Sequence, residues 1–236
     1  MQLTVRQVAD LFGVTESTVA RWIRDDNLPV HDLKSQYRFD RAELLEWAAT
    51  THRRFSPAIF DEINGDCVAE VRLADAIERG GLAACVAGGD RYEVFRAAIA
   101  DWPLPEPCSR HELLDLFLAR EKSGGTAIGY GIAVPHPRYP VVLPGSPSMM
   151  RVCFLERPLP MGGRDGQPVD ALFLTISPTV HEHLQLLARL ACVVKSDAFR
   201  SFLKSRPDHG RIVEEVRRVE QAFHEHRDEH RELSCG

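Results

Sequence analysis

The chain has 236 residues, of which 44% are hydrophobic and 27% charged, and its formal net charge is −5 at pH 7. That balance is typical of a soluble globular protein with one large or two modest domains. No apolar run approaches the roughly 20 residues that a membrane span needs, and the N-terminus lacks the form of a signal peptide, so we expect a cytoplasmic protein. The net charge also argues against a protein that coats nucleic acid, although a locally basic face can exist within it.

The first fifty residues predict a small unit of helix, turn, helix, hairpin and helix. Thr4 is placed to cap the first helix and Thr15 the second, and Gly13 permits the tight turn between them. The stretch "VHDLKSQYRFD" alternates around a polar bend like a hairpin, and Asp40 is placed to cap a third helix. The expected inward positions are Val5, Val8, Ala9, Phe12, Val19, Trp22, Ile23, Leu44, Leu45 and Trp47.

This order of elements is that of a small winged-helix reader. Through "LTVRQVADLFGVTESTVARWIRDDNLP" and "YRFDRAELLEW" the segment resembles the excisionase-like, MerR-type helix-turn-helix family. The resemblance implies DNA binding, with the start of the recognition helix facing the major groove at Thr15, Ser17, Thr18 and Arg21. It places phosphate contacts at Arg24, Lys34 and Arg38.

The charge of this unit does not by itself favour DNA binding. Up to Arg54 it has eight basic and eight acidic residues, so a single copy would attract phosphate weakly, and two copies in a homodimer would bind better. The alternative is a helix-turn-helix that binds protein or only mediates dimerisation.

A larger α/β domain is predicted after a linker at 53–67. Helices are expected in "EVRLADAIERGG", in "DRYEVFRAAIADW" with a cap at Asp90, and in "SRHELLDLFLAREKSGG" with a capping box of Ser109 and Glu112. The last of these helices can close at Gly124 or Gly125.

Strands are expected next, in "YGIAVPH", "MMRVCFLE" and "VDALFLTIS", which are short apolar runs bounded by glycine or proline. A single long helix is then predicted over "SPTVHEHLQLLARLACVVKSDAF", with a capping box of Thr179 and Glu182. The fold class is therefore α/β, a mixed sheet flanked by helices on both faces, with a small N-terminal winged helix-turn-helix domain.

The stretch "AVPHPR" predicts a functional histidine at a strand end. Neither proline around His136 can donate a ladder hydrogen bond, so the strand stops and His136 is held stiffly. Ligands bind beyond the carboxyl ends of strands in such sheets. His183, in the first turn of the long helix, points toward the same edge, because it shares a face with Leu187, Leu190 and Val194.

These positions suit an anion. A helix N-terminus binds phosphate groups, and Arg120, in the last turn of the preceding helix, can supply a fork of donors for phosphate oxygens. A neutral imidazole is a competent nucleophile, so the pattern favours phosphoryl transfer to His136. Taken alone, His183 also fits a satisfied core histidine. His181 is expected on the outer face, outside the site.

Two stretches, "LAREKSGGTAIGYGIAVPHPR" and "GQPVDALFLTISPTVHEHLQLLARLA", carry a family resemblance. Residues 68 to 220 resemble enzyme IIA of the fructose, mannitol and nitrogen-regulatory branch of the bacterial phosphotransferase system. The resemblance implies that His136 is the phosphorylated histidine, His183 the supporting histidine and Arg120 the arginine of the site. It also implies a phosphoryl donor, the phosphohistidine of HPr or of its nitrogen-branch relative, and no metal, nucleotide or other cofactor.

The sequence departs from this family in two ways. Pro137 stands where the family usually has glycine, which would stiffen the loop or alter docking of the donor. No enzyme IIB or membrane segment follows, which argues against direct sugar transport and for regulation.

His226 and His230 lie four residues apart near the C-terminus, a spacing seen in zinc sites. Without an evident third ligand, a solvated charged helix is the favoured interpretation. The six cysteines form no C-x-x-C pair and predict reduced core thiols, apart from Cys235 in the tail.

The predicted organisation is a helix-turn-helix domain at 1–52, the linker, an enzyme IIA domain at 68–222 and a charged tail at 223–236. The leading hypothesis is a transcription regulator in which phosphorylation of His136 controls the DNA-reading domain or a partner. Two alternatives stay open. One is a DNA-binding regulator whose enzyme IIA domain senses partners without phosphorylation; the other is a transport component that passes phosphate to a separate enzyme IIB.

Overall fold

The computed structural model describes residues 2–26, 28–33, 36–40, 44, 47–48, 71–106, 108–137, 146–163 and 165–234; for residues 2, 31–33, 36, 40 and 223–234 it describes the backbone alone. Contacts divide the chain into two compact units, Met1–Glu70 and Val71–Gly236. The predicted linker and Lys34 lie outside the described residues. The exact domain bounds therefore stay a prediction.

The N-terminal unit begins with two short helices, α1 (Val5–Phe12) and α2 (Glu16–Asp25). Thr4 caps α1 in a reciprocal capping box with Gln7, and the Thr15 hydroxyl accepts from the Thr18 amide at the start of α2. Gly13 between the helices has φ +61°, a left-handed conformation that favours glycine. The predicted helix, turn and helix are therefore confirmed.

Three aromatic rings form the centre of this unit. The Phe12 and Trp22 ring centroids are 5.5 Å apart and those of Trp22 and Trp47 5.3 Å. The Trp47 indole donates to the Asp26 carbonyl at 2.9 Å, which fixes the segment around Trp47 against the end of α2. Val8 and Val19 are fully buried beside the rings, whereas Ile23, predicted inward, is half-buried.

A three-stranded antiparallel sheet forms the wing of the N-terminal unit, in the order β1-β3-β2. β2 (His31–Leu33) and β3 (Gln36–Asp40) are the predicted hairpin, and β1 (Gln2–Leu3) pairs with the other edge of β3. The sequence analysis missed β1 because two residues carry no alternation pattern. Asp40, predicted as a helix cap, is the last residue of β3 and pairs with Gln2, while residues 41–43 lie outside the described range.

The C-terminal unit contains one five-stranded mixed sheet, in the order β4-β7-β8-β6-β5. β4 is parallel to β7, β6 is parallel to β8, and the β7–β8 and β5–β6 pairs are antiparallel. The strands are β4 (Leu82–Val86), β5 (Ala127–Gly129), β6 (Ile132–Ala133), β7 (Met149–Leu159) and β8 (Val169–Ile176). The helices are α3 (Leu73–Gly80), α4 (Arg91–Ala100), α5 (Arg110–Lys122), α6 (Val180–Val194), α7 (Asp197–Lys204) and α8 (His209–Ser234).

Helices cover both faces of this sheet, as predicted. One core joins Val134 and Phe173 to residues of α3, α6, α7 and α8, and the other joins Leu172 and Leu174 to residues of α4 and α5. Alternate residues of β8 thus enter opposite cores, which explains why that strand is mainly apolar on both faces. No helix of the described residues is both long and apolar enough to span a bilayer.

Three sequence predictions in this unit were wrong. The single helix over residues 177–199 is two helices, because α6 ends at Val194 and Ser196 caps α7 by accepting from the Phe199 amide at 3.3 Å. The edge strand β4 was missed although Gly81 separates it from α3, because its run LAACV shows no alternation of apolar and polar residues and contains two alanines, which are depleted in strands. Cys85, expected in the core, lies on that edge strand and is exposed, whereas Cys153 is buried.

Candidate functional site

His136 lies just beyond the end of β6, in a segment that is buried from Gly131 to Pro137. The pairing with β8 continues past the strand, because the Thr175 amide donates to the Pro135 carbonyl at 3.1 Å. His136 itself is only 3% exposed. The histidine is therefore held between two prolines at the carboxyl end of the parallel β6–β8 pair.

The hydrogen bonds of the His136 ring define its tautomer. Nδ1 lies 2.7 Å from the carbonyl oxygen of Val134, which can only accept, so Nδ1 carries the hydrogen. The Nε of Arg120 donates to His136 Nε2 at 3.2 Å, and a guanidinium has no lone pair to offer. Nε2 is therefore the unprotonated nitrogen, and its electron pair accepts from Arg120.

His183 lies beside this ring, in the first turn of α6. The two histidine ring centroids are 5.0 Å apart, with 50° between the planes. Thr179 caps α6 by accepting from the Glu182 amide at 3.1 Å, which fixes the turn that carries His183. His183 is buried together with Leu187, as their shared helix face requires.

Arg120 reaches the site from the last turn of α5. Its Nη1 donates to the Gly125 carbonyl at 3.3 Å, so the guanidinium is tied to the loop that leads into β5. Gly125 has φ +68° and its amide donates to the Glu121 carbonyl at 3.0 Å, which turns the chain away from the helix. The predicted closing residue is thus Gly125 rather than Gly124.

The sequence analysis missed the buried group behind this loop. The Glu121 carboxylate accepts from the Thr126 hydroxyl at 2.6 Å and lies 3.4 Å from the Arg91 Nε. These contacts hold the two ends of the loop that positions Arg120. A glutamate beside an arginine at a helix end has no sequence signal for burial, because the same pair is usual on exposed helix faces.

The structure therefore brings His136, Arg120 and His183 together at one rim. An imidazole lone pair, a guanidinium and a second imidazole meet in a largely buried place, where electrostatic interactions are stronger than in water. This arrangement can bind an anion and can transfer a phosphoryl group to nitrogen.

The surface predicted to read DNA lies on the N-terminal unit. Thr15, Ser17, Arg21 and Arg24 are exposed. The Thr15 hydroxyl lies 2.8 Å from that of Ser17 and 3.0 Å from that of Thr18, so these hydroxyls order one another at the start of α2. Arg38 is half-buried on β3 and donates to the Tyr37 carbonyl at 3.3 Å.

No group of three or more side chains suited to bind a metal occurs in the part of the chain that the structure describes. His226 and His230 lie in α8, where the side chains are outside the description. Their role stays a prediction.

Residues 90–218, more than half of the chain, match the family described as "Phosphoenolpyruvate-dependent sugar phosphotransferase system, EIIA 2". The chain belongs to this family. Residues 3–52 match a helix-turn-helix domain. The expected resemblance to enzyme IIA is thereby confirmed, as is a helix-turn-helix domain at the N-terminus. His136, Arg120 and His183 all lie inside the enzyme IIA match.

Named relatives agree with this family. The chain is 34% identical over 142 residues to a nitrogen regulatory protein of Pseudomonas aeruginosa, an alignment that covers 58% of this chain and 89% of that protein. It is 36% identical over 98 residues to a nitrogen regulatory protein of Bradyrhizobium diazoefficiens, covering 41% of this chain and 62% of that protein.

A crystal structure of a nitrogen regulatory protein IIA-Ntr from Neisseria meningitidis has the same fold. The TM-score is 0.54 at 22% identity, and the match covers 61% of this chain and 98% of that one. At this identity the likeness concerns the fold alone.

Proposed function

We propose that the C-terminal unit accepts a phosphoryl group on Nε2 of His136 from a phosphohistidine carrier, HPr or its nitrogen-branch relative. The observation that carries this proposal is the tautomer of His136. The Val134 carbonyl accepts from Nδ1 at 2.7 Å, so the electron pair of Nε2 is directed to Arg120, and the ring of His183 lies alongside.

The chemistry balances without a cofactor. The Nε2 electron pair attacks phosphorus, a new N–P bond forms, and the N–P bond of the donor breaks with its electron pair returning to the donor nitrogen. The proton on Nδ1 stays in place, so the phosphorylated ring carries a positive charge, which the hydrogen bond to the Val134 carbonyl stabilises.

Arg120 has a specific part in this step. Its Nε occupies the Nε2 electron pair in the free protein, so it must move aside before the attack. The displaced guanidinium can then donate to the phosphoryl oxygens, which is the geometry arginine suits best. His183 is the second group within reach of those oxygens.

We further propose that the N-terminal unit binds DNA through α2 and that phosphorylation of His136 controls this binding or a partner's. A phosphoryl group adds about −1.5 to −2 charge, enough to alter a nearby interface. The exposed Arg21 and Arg24 on α2 support the DNA assignment. Because each phosphate contact of an arginine or lysine releases counterions, we expect affinity for DNA to fall with salt.

The decisive experiment is intact-mass analysis of the full chain after incubation with enzyme I, phosphoenolpyruvate and either carrier. The wild type should gain one phosphoryl group and His136→Ala none. Lys122→Ala, an exposed change in the same helix as Arg120, is the matched control and should behave as the wild type. Labelling of His136→Ala would refute the assignment, and an unlabelled wild type would favour a regulator that works without phosphorylation.

A second experiment separates regulation from transport. DNA fragments are selected with the phosphorylated and with the unphosphorylated full chain. The selected sequences should bind Arg21→Ala more weakly than the wild type. Loss of label from His136 on adding a separate enzyme IIB would instead support a transport component.

A further inference from the structure

Ser177 is a buried hydroxyl that the proposed reaction has not used. It directly follows β8 and stands two residues before Thr179, the residue that caps α6. Ser177 is 3% exposed, and its Oγ has no hydrogen-bond partner among the residues that the structure describes. Buried polar groups of this kind are few in folded proteins and call for an explanation.

The strand register places Thr175 opposite His136 and Ser177 two residues further toward the rim. β6 and β8 are parallel, and the bond from the Thr175 amide to the Pro135 carbonyl extends their pairing to the level of His136. Ser177 lies two residues beyond Thr175, so it is on the same face of the sheet and one step closer to the rim.

The His136 ring contacts that of His183 on α6, and continued strand alternation would turn Ser177 toward the same helix. Val134 and Phe173 belong to the core that includes the inward residues of α6, and residues two apart in a strand share a face. His136 follows Val134 by two residues, and Ser177 follows Phe173 by four. Ser177 thus lies between the end of β8 and the turn that carries His183.

We propose that the Ser177 hydroxyl donates a hydrogen bond to a phosphoryl oxygen carried on Nε2 of His136. This inference rests on the proposed function. The phosphoryl group brings three strong acceptor oxygens into the site, and the hydroxyl supplies a donor beside the first turn of α6, where anions bind. Ser177 is therefore a phosphoryl-binding residue whose partner arrives only with the phosphate.

The test compares wild-type and Ser177→Ala full chains at a fixed ratio of phosphorylated to free carrier. The equilibrium constant for transfer to His136 should fall about tenfold or more in Ser177→Ala, because a hydrogen bond to a charged group is lost. Phosphoramidate, a small phosphoryl donor, is used in parallel and should show the same loss. Agreement of the two donors assigns the effect to the site rather than to carrier docking.

The stability of the unphosphorylated protein is the second measurement. Removing a buried hydroxyl that has no partner should leave the urea midpoint unchanged or raise it, whereas a purely structural role would lower it. Ser196→Ala is the control, since that hydroxyl caps α7 by accepting from the Phe199 amide at 3.3 Å, away from His136. That change should lower the midpoint and leave the transfer constant unaltered.

Each other result has a separate meaning. A transfer constant equal to the wild type's in Ser177→Ala overturns this inference and leaves the proposed function intact. Acid-stable label that maps to Ser177 would make this residue an acceptor and also overturns the inference. A wild type that takes phosphate from neither donor overturns both proposals.

Discussion

The Nε of Arg120 donates directly to the His136 nitrogen that carries the electron pair, across 3.2 Å. The same guanidinium donates through Nη1 to the Gly125 carbonyl. One arginine thus links the end of α5, the loop before β5 and the reactive ring. Because a guanidinium offers five donors in a rigid plane, it can exchange the imidazole for phosphoryl oxygens while keeping its contact with the loop.

Replacing Arg120 should separate charge from geometry. Arg120→Ala should slow phosphoryl transfer to His136 by about 10²- to 10³-fold, as expected when a donor to a developing oxyanion is lost. Arg120→Lys keeps the charge but loses the planar fork, so its rate should fall between those of the alanine variant and the wild type. Rapid-quench kinetics with labelled carrier measures both, and a lysine variant equal to the wild type would contradict the role of the fork.

The contact between Gly80 and Met150 sets how closely α3 packs on β7. A Cβ at Gly80 would lie 2.1 Å from the Met150 carbonyl oxygen. Gly80→Ala should therefore lower the free energy of unfolding by about 2 to 4 kcal/mol, because backbone rather than a side chain must move. Urea denaturation gives the value.

The control for this change is Gly210→Ala, another glycine inside a helix. Its Cβ would meet only the Asp208 Oδ1, at 3.5 Å, so helix propensity should dominate and raise stability by up to about 1 kcal/mol. If both variants lost the same stability, close packing of α3 on β7 would not be the cause.

Local signals carried much of the fold. Thr4, Thr15, Asp90, Ser109 and Thr179 each accept a backbone hydrogen bond at the start of the helix that their sequence context predicted. Capping depends on residues three apart, so a single sequence is sufficient to find it. The break at Ser196 is of the same kind, since Ser196 accepts from the Phe199 amide three residues on, but the sequence analysis overlooked this cap.

The site was predictable for a related reason. The prolines around His136 mark a strand end, and the spacing of His183 with Leu187 and Leu190 marks a buried helix face; both are local patterns. What brings the two rings to 5.0 Å is the parallel pairing of β6 with β8 across about forty residues. That pairing was expected from the fold class rather than from any pair of residues.

Long-range polar contacts could not be predicted in this way. Glu220 in α8 accepts from the Leu73 and Ala74 amides at 2.8 and 3.0 Å, and from Arg189 at 3.0 Å. It caps α3, whose own N-cap residue, Arg72, makes no side-chain cap bond. In the sequence, Glu220 is one more glutamate in a charged helix. Its partners in α3, Leu73 and Ala74, lie well over one hundred residues away along the chain.

Removing this carboxylate should be costly. Glu220→Gln leaves the buried guanidinium of Arg189 without its counter-charge. It also replaces one of the two oxygens that accept from the α3 amides by an NH₂ group, which donates. The free energy of unfolding should therefore fall by about 3 to 5 kcal/mol. Glu214→Gln, an exposed change in the same helix, should have an effect within about 0.5 kcal/mol. Equal urea midpoints for the two variants would show that Glu220 does not stabilise the junction of α3 and α8.

The buried thiol of Cys153 predicts an alkaline limit to stability. Burial raises its pKa from 9.0 to about 12, an effect that outweighs the lowering by nearby Arg151. The folded state therefore holds the thiol proton more tightly than the unfolded state does. The contribution of the protonated thiol to the free energy of unfolding is fully present below about pH 9. It is lost as the pH rises from there toward 12, at up to about 1.4 kcal/mol per pH unit.

Cys153→Ala separates the effect of thiol ionisation from that of packing, because the free energy lost to the cavity does not depend on pH. The wild type should be more stable than the variant at pH 7, and the difference should shrink between pH 9 and 10.5. Cys85→Ala removes an exposed thiol, and its stability should run parallel to that of the wild type over the same range. A difference between wild type and Cys153→Ala that stays constant up to pH 10.5 would mean that the thiol does not titrate differently in the folded and unfolded states.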